Sequence, residues 1–354
     1  MKGGKLMKEL HNTRWYVNNI RSNLPSYVFK PVPTRLLGGL AYAIIIISGI
    51  IAISLLNISI FVKLLISLVL GFSFAGIGFL AHEILHGTVV RNSWLKNIFG
   101  GLAFLPLTVG PRLWTQWHNI CHHGNTQDEE KDPDAWLSVE EFNRSGFVKL
   151  IYKIPLCFRS LFSFIALSVT FTLHSIRMFF NYIKIFKGKK HIKLLIQFII
   201  PWTIWIGLLS IIGPEKWMFA YLIPFLIGNF IVMCYISTNH RLNPLVPVND
   251  PLANSLTVTV PKWMDILHFN FSYHTEHHLF PGINPKYYGL VKKEILRLYP
   301  ERYHEMPLID ALNLLWRTPR IYYKGDKLID PHKKKVYNSL ESGLNKKNIL
   351  SNNI

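Results

Sequence analysis

Eight of the fifteen histidines in this 354-residue chain fall in three short stretches. His82 and His86 stand in HEILHG, His118, His122 and His123 in HNICHH, and His274, His277 and His278 in HTEHH. A ninth, His240, stands in STNHRLNP. On a helix, residues three and four apart share a face, so each stretch can aim two or more imidazoles at a common point. A zinc ion takes three or four protein ligands. Eight or nine imidazoles exceed what one such ion uses and match two transition-metal ions. Imidazole suits iron, copper, nickel and zinc alike, so the donor type does not name the metal. A lone histidine pair at helical spacing is ordinary surface or core chemistry; three groups, each beside an apolar run, are not.

Other residues near these stretches could assist. Asp128, Asp132 and Asp134 follow the second stretch, and Asp265 and Glu276 surround the third; any of them could orient an imidazole, or simply be a solvated acid. Cys121 lies inside the second stretch and is a conceivable thiolate ligand. The three cysteines have no CxxC spacing and an odd total, which argues against a disulfide framework. Asn239 precedes His240 and reads either as a cap or as a group holding water at a metal. HEILHG also matches the HExxH pattern of zinc proteases, with Glu83 as general base, but such a site uses three protein ligands and leaves six histidines idle. A metal transporter is a third class, yet it would place ionisable ligands inside its spans.

The elements that must position these residues look membranous. Half the chain is hydrophobic, and the apolar residues gather in runs at 36–56, 58–81, 194–213 and 217–238, each long enough to cross a bilayer. They pair into two hairpins, with turns after Asn57 and at Pro214, Glu215 and Lys216. The apolar run 94–110 is interrupted by Gly100, Gly101 and Pro106 and reads as re-entrant or interfacial. The run 161–173, flanked by Arg159 and Arg177, is too short to cross and suits the interface plane. Lys and Arg number 39 against 20 Asp and Glu, and only Lys63 and Lys216 fall at the hairpin turns. The positive-inside rule therefore puts the N-terminal, central and C-terminal regions, and all three histidine stretches, in the cytoplasm. The N-terminal residues lack the pattern of a secretory signal peptide. Anionic lipid headgroups are the natural partner of the basic excess, and nothing points to nucleic acid.

The fold expected is all-α: a polytopic membrane protein with four transmembrane helices in two hairpins and a cytoplasmic helical cap holding a di-metal site. Its parts are a cytoplasmic basic segment at 1–35, the membrane domain at 36–300 and a cytoplasmic basic tail at 301–354. A di-metal centre at a bilayer face suits oxidation of an apolar substrate. Redox-active iron can activate dioxygen for attack on an unactivated C–H bond, which zinc cannot.

The three histidine stretches between two hydrophobic hairpins resemble the membrane fatty acid desaturase family, over roughly residues 36–300. HEILHGTVVRN, DPDAW, TNHRLNP and YHTEHHLFP are most similar to bacterial acyl-lipid or acyl-CoA desaturases, although Glu83 stands where that family most often has Asp. The resemblance implies a bacterial inner-membrane enzyme with two non-haem iron ions. It would use dioxygen and two external electrons to insert a double bond into a fatty acyl chain carried by lipid or CoA. His82, His86, His118, His122, His123, His240, His274, His277 and His278 are the implied ligands. Hydroxylases and carotenoid ketolases share the scaffold. With no fused cytochrome domain in view, a separate electron donor such as ferredoxin is expected, along with an apolar tunnel whose candidate wall residues are Trp114, Trp117, Trp263 and Phe269.

Overall fold

The computed structural model of the protein describes residues 9–318, 321–331 and 334–345. The first eight residues of the basic N-terminal segment, and Lys333 and 346–354 of the C-terminal segment, lie outside the described residues. Helix α1 (Thr13–Ile20) starts where the Asn12 side chain accepts from Trp15 N, and it buries Tyr16 and Ile20. Helices α2 (Arg35–Leu55) and α3 (Ile60–Leu85) form the first hairpin, and Ser59 caps α3. Helix α4 (Ser93–Phe104), capped by Asn92, runs on into a 3-10 turn at Leu105–Leu107. Thr108, at a φ of 56°, turns the chain back into a helical stretch at 111–125, α5. Next come α6 (Leu156–Tyr182), α7 (Lys189–Trp217) and α8 (Ile223–His240). Among the shorter helices beyond them are α9 (His274–Leu279), α10 (Tyr288–Leu298) and α11 (Leu308–Arg317).

Four stretches are long and apolar enough to cross a membrane: Arg35–Leu55, Ile60–Leu85, Leu156–Ile185 and Lys189–His240. The last holds both runs of the second expected hairpin. Gly213, at φ 78°, breaks it, and Trp205 stacks on Tyr221 with centroids 4.0 Å apart across the fold-back. The expected re-entrant segment is α4 with its turn: Leu107 reaches Gly78 of α3, and the Trp205 indole donates to Leu105 O at 3.0 Å. The run 161–173 is shorter in sequence than its helix, because Arg159 and Arg177 lie within α6 rather than at its ends.

Packing of α3 against α8 sets the level of the histidines. The two helices run parallel: Ser67 Oγ donates to Phe219 O at 2.6 Å, and Phe79 meets Tyr235 edge-on. Small residues permit the approach. A Cβ on Gly71 would lie 2.6 Å from the Ile227 side chain, and one on Gly228 would lie 2.9 Å from Phe74 Cβ. Matched in register, the helices deliver His82 and His240 to the same end of the bundle.

The cap adds small sheets to the helices. Strand β1 (Thr257–Thr259) pairs in parallel with β2 (Glu305–Pro307), while β3 (Tyr322–Tyr323), β4 (Lys327–Asp330) and β5 (Lys335–Asn338) form an antiparallel sheet. The described part of the segment expected as a basic tail is thus folded. Leu328 and Tyr337 are buried against Leu245 and Trp136, and α11 buries Ala311, Leu314 and Leu315; apolar residues every three to four positions in α11 hold it down. The N-terminal segment is docked as well, with Tyr16, Ile20, Leu24 and Val28 in one cluster with Leu279 and Tyr288.

Gly71→Leu should destabilise the protein by about 1–3 kcal/mol through overpacking, read as a lower thermal midpoint of the detergent-purified chain. Ile227→Ala in the same chain should recover part of the loss; an unchanged midpoint in Gly71→Leu alone would contradict the α3–α8 contact.

Candidate metal centre

All nine histidines converge, in two groups. In the first, His82 Nε2 lies 3.2 Å from His118 Nε2, His118 Nε2 lies 3.2 Å from His123 Nε2, and His123 Nε2 lies 3.0 Å from His277 Nε2. His86 joins them: donor atoms of His82, His86, His118 and His277 all fall within 4.8 Å of one another. In the second group His274 Nε2 lies 2.6 Å from His240 Nε2 and 3.0 Å from His278 Nε2, and His122, His240 and His278 form another set within 4.8 Å. Five imidazoles thus face one point and four a neighbouring one. The two groups touch, with the His123 and His278 rings stacked at 4.4 Å.

Local winding decides which histidine goes where. In α3, His82 and the capping His86 are four apart and serve the same group. The second histidine stretch (box two, the first and third being boxes one and three) is different, because Thr115–His122 is wound as a π-helix and His123 N donates to His118 O. A five-residue repeat puts His118 and His123 on one face and sends His122 to the other group; π-turns of this kind concentrate at functional sites. In α9, His274 and His278 share the second group by ordinary α spacing, and His277 points to the first. The histidine stretches with three members are therefore each divided between the groups.

Partners on the far side of the rings fix their tautomers. His240 Nδ1 donates to Asn254 O at 3.1 Å, and His122 Nδ1 to Asp132 Oδ1 at 2.9 Å. Thr126 Oγ1 gives its proton to His122 O, so it can only accept from His278 Nδ1, 3.2 Å away. Tyr288 Oη lies 3.0 Å from His277 Nδ1. Each of His240 and His278 then carries its proton on Nδ1 and turns an Nε2 lone pair inward, whereas for His122 the contacts fix only the Nδ1 proton, held by Asp132. His274 can donate one proton to two such neighbours, and His86 Nε2 is buried with no partner among the described residues. Burial and neighbouring imidazoles push His118, His123, His274, His277 and His278 well below the usual histidine range, so they are neutral imidazoles at neutral pH. His122 goes the other way: against its burial, Asp132 and Asp134 push it up to about 9. A set of inward lone pairs with too few protons is the donor set of a cation site, and the residues fit two metal ions.

Of the five acids near the boxes, Asp132 and Asp134 reach an imidazole. Asp132 also accepts from Gln127 N and Asp134 N. Asp134 lies 3.6 Å from His122 Nδ1 and 2.7 Å from His174 Nε2. Asp128 instead accepts from backbone amides of its own turn. Asp265 bonds Ser272, and Glu276 is bonded by Thr257 and Tyr303. Cys121 belongs to neither group. Asn239 is buried, and neither end of its amide has a partner among the described residues. His268 lies apart, bonded to the Tyr235 hydroxyl at 2.9 Å. The Glu83 carboxylate faces away from the imidazoles: Arg35 holds it at 2.7 and 3.1 Å and Asn284 at 2.9 Å. A general base so paired is not free to serve a metal-bound water, and the HExxH protease reading is not favoured.

A cavity of about 310 Å³ reaches the centre, touching His82, His118, His122, His240 and His274. Gly78, Phe104, Leu107 and Phe171 make it largely apolar, and Trp114 and Trp117 line it as expected. Trp263 and Phe269 do not: Trp263 is 57% exposed, and Phe269 packs beneath the Arg35 guanidinium. Gln127 went unread in the sequence. Its side-chain nitrogen donates to His240 O at 3.1 Å and to Tyr322 Oη at 2.8 Å, tying the loop after box two to the end of α8. No motif marks it, nor Asn254 or Tyr288.

Comparison with known proteins agrees with this geometry. A family model described as fatty acid desaturase matches residues 58–309. An sn-1 oleoyl-lipid 12-desaturase of Picosynechococcus sp. is 27% identical over 237 residues, which cover 61% of this chain and 64% of that protein. The chloroplastic omega-6 fatty acid desaturase of Spinacia oleracea is 23% identical over 227 residues, 61% of this chain and 49% of its own length. An sn-1 oleoyl-lipid 12-desaturase of Synechocystis sp. is 22% identical over 227 residues, 61% and 63% respectively. The chain thus spans between half and two thirds of these relatives.

Metal analysis of the purified protein should return two ions per chain. His240→Ala should lower occupancy to about one, because its ring serves the second group, while His268→Ala should leave both in place. Asp132→Asn, which acts through His122, should weaken metal affinity about 10–100-fold. Equal metal content in His240→Ala and His268→Ala would remove His240 from the ligand set.

Proposed function

The chain belongs to the fatty acid desaturase family, and from that premise we propose that it is a membrane acyl-lipid desaturase with a di-iron centre on the nine histidines. The observation that carries this reading is the meeting of two imidazole groups with one apolar cavity. The reaction converts a CH2–CH2 pair of the acyl chain, dioxygen, two electrons and two protons into CH=CH and two waters. Bound at the two groups, iron would supply the dioxygen activation that imidazole alone cannot. The protein's own residues do the rest. Gly78, Leu107 and Phe171 hold the methylenes by apolar contact and exclude water, while Trp114 and Trp117 wall the chain beside His82 and His118. Asp132, Asn254 and Thr126 keep three ligand rings turned inward, which spares reorganisation when the substrate arrives. Electrons come from a separate carrier of the ferredoxin type. The acyl chain is presented on a lipid, in keeping with the oleoyl-lipid activity named for two relatives.

We place the centre on the cytoplasmic face of an integral membrane protein, in bacteria the inner membrane. The His122 and His240 rings are 4.9 Å apart, so the chain between them must cross an even number of times. Helices α7 and α8 account for two crossings. Helix α6, though long enough, then lies along the interface, and the basic excess of the N-terminal, central and C-terminal regions falls on one side.

Cells expressing the chain should gain an unsaturated fatty acid that cells carrying His123→Ala lack, by gas chromatography of total lipids. Stripping iron with a chelator should abolish product formation by the purified protein and added ferrous iron should restore it; activity that survives stripping would contradict the reading. Reporters fused after Arg35 and after Lys190 should both register the cytoplasm, and an outside signal at Lys190 would require α6 to cross.

A further inference from the structure

The cavity carries two arginines that the proposed chemistry does not use, Arg177 and Arg241. They flank one segment. Asp134 of that segment is taken by His174 at 2.7 Å and faces His122 at 3.6 Å. Trp136, two residues on, lies under the Arg241 guanidinium at 3.9 Å. Arg177 stands one turn beyond His174 on α6; it is exposed, and no carboxylate among the described residues pairs with it. The outward face of α6 also exposes Phe162, Ile165, Leu173 and Phe180. Leu173 both lines the cavity and is 57% exposed, so the cavity opens through this face. Arg177, four residues later, stands beside the opening.

A cation at the rim of an apolar opening, on a helix face suited to lipid, calls for an anion. The guanidinium fork matches a phosphate bidentately and stays charged at any physiological pH. We propose that Arg177, with Arg241 also lining the cavity, binds the phosphate of a glycerophospholipid whose acyl chain occupies the cavity. The protein then selects acyl chains on anionic phospholipids over those on neutral glycolipids. A soluble thioester such as acyl-CoA carries phosphate too, but it would approach from water, whereas this opening lies among exposed apolar residues. The inference rests on the proposed function for the acyl chain, and on the cavity alone for the phosphate.

The test is binding without turnover. The full chain, purified in detergent, is titrated with dioleoyl phosphatidylglycerol, with a monogalactosyl diacylglycerol of the same chains and with oleoyl-CoA, and complexes are counted by native mass spectrometry. Phosphatidylglycerol should bind about ten-fold or more tighter than the galactolipid, the range expected for a charge-assisted hydrogen-bond pair. Arg177→Gln should remove most of that difference while leaving galactolipid binding and metal content unchanged, and Arg177→Lys should keep part of it. Equal binding of both lipids, or an equal loss of both in Arg177→Gln, would overturn the phosphate site. Tightest binding of oleoyl-CoA, lost in Arg177→Gln, would overturn the lipid carrier. Selective phospholipid binding by a chain that forms no double bond would overturn the proposed function and leave this subsite standing.

Discussion

His274 Nε2 sits between the Nε2 atoms of His240 and His278, at 2.6 and 3.0 Å, and both neighbours have committed their protons to the other side of the ring. Two lone pairs directed at one nitrogen, with at most one proton between them, repel unless a cation stands there. The interior cannot dilute this repulsion with water, because the three rings are buried. Much of the surrounding structure holds these rings in place against that repulsion. Asn254 O and Thr126 Oγ1 sit on the outer nitrogens, Asp132 steadies His122, and Gln127 ties the carbonyl of His240 to the loop that follows box two. These are the outer partners a metal site requires to keep its ligands in one tautomer and one orientation.

The membrane helices serve the same end. A parallel run of α3 and α8, set by glycines at 71 and 228, brings His82 and His240 level. The fold-back at Gly213 lets α8 arrive from the far end of the bundle. Helix α4 returns through Thr108 into α5, which supplies three rings to the centre. Box three comes last, held by the N-terminal segment through the apolar cluster around Leu279 and Tyr288. Histidines so far apart in sequence converge only when both hairpins and the cap are assembled, so any metal bound there would be coupled to the whole fold.

The sequence made the converging histidines legible because imidazole is scarce and its spacing is short. It made the hairpins legible because a bilayer demands long uncharged runs. It did not disclose how the ligands divide. HNICHH read at 3.6 residues per turn puts His118 and His122 together, and the π-winding that puts His118 with His123 has no signature in residue type. The acids are not told apart in the sequence for a related reason. Asp132 and Asp265 look alike beside their boxes, but a tight turn aims one at an imidazole and the other at Ser272. Beyond residue 300, positive charge suggested a tail; the burial of Leu328, Tyr337 and Leu314 depends on partners such as Leu245 and Trp136 that lie far away in the chain.

The claim that the nine histidines hold two nitrogen-ligated ions is tested most directly by iron K-edge X-ray absorption on the purified full chain, with iron and protein quantified in the same sample. The account gives two irons per chain and a first shell dominated by imidazole nitrogen, about four to five donors per ion, with the outer-shell scattering of histidine rings. One ion per chain, or a first shell dominated by carboxylate oxygen, would contradict it.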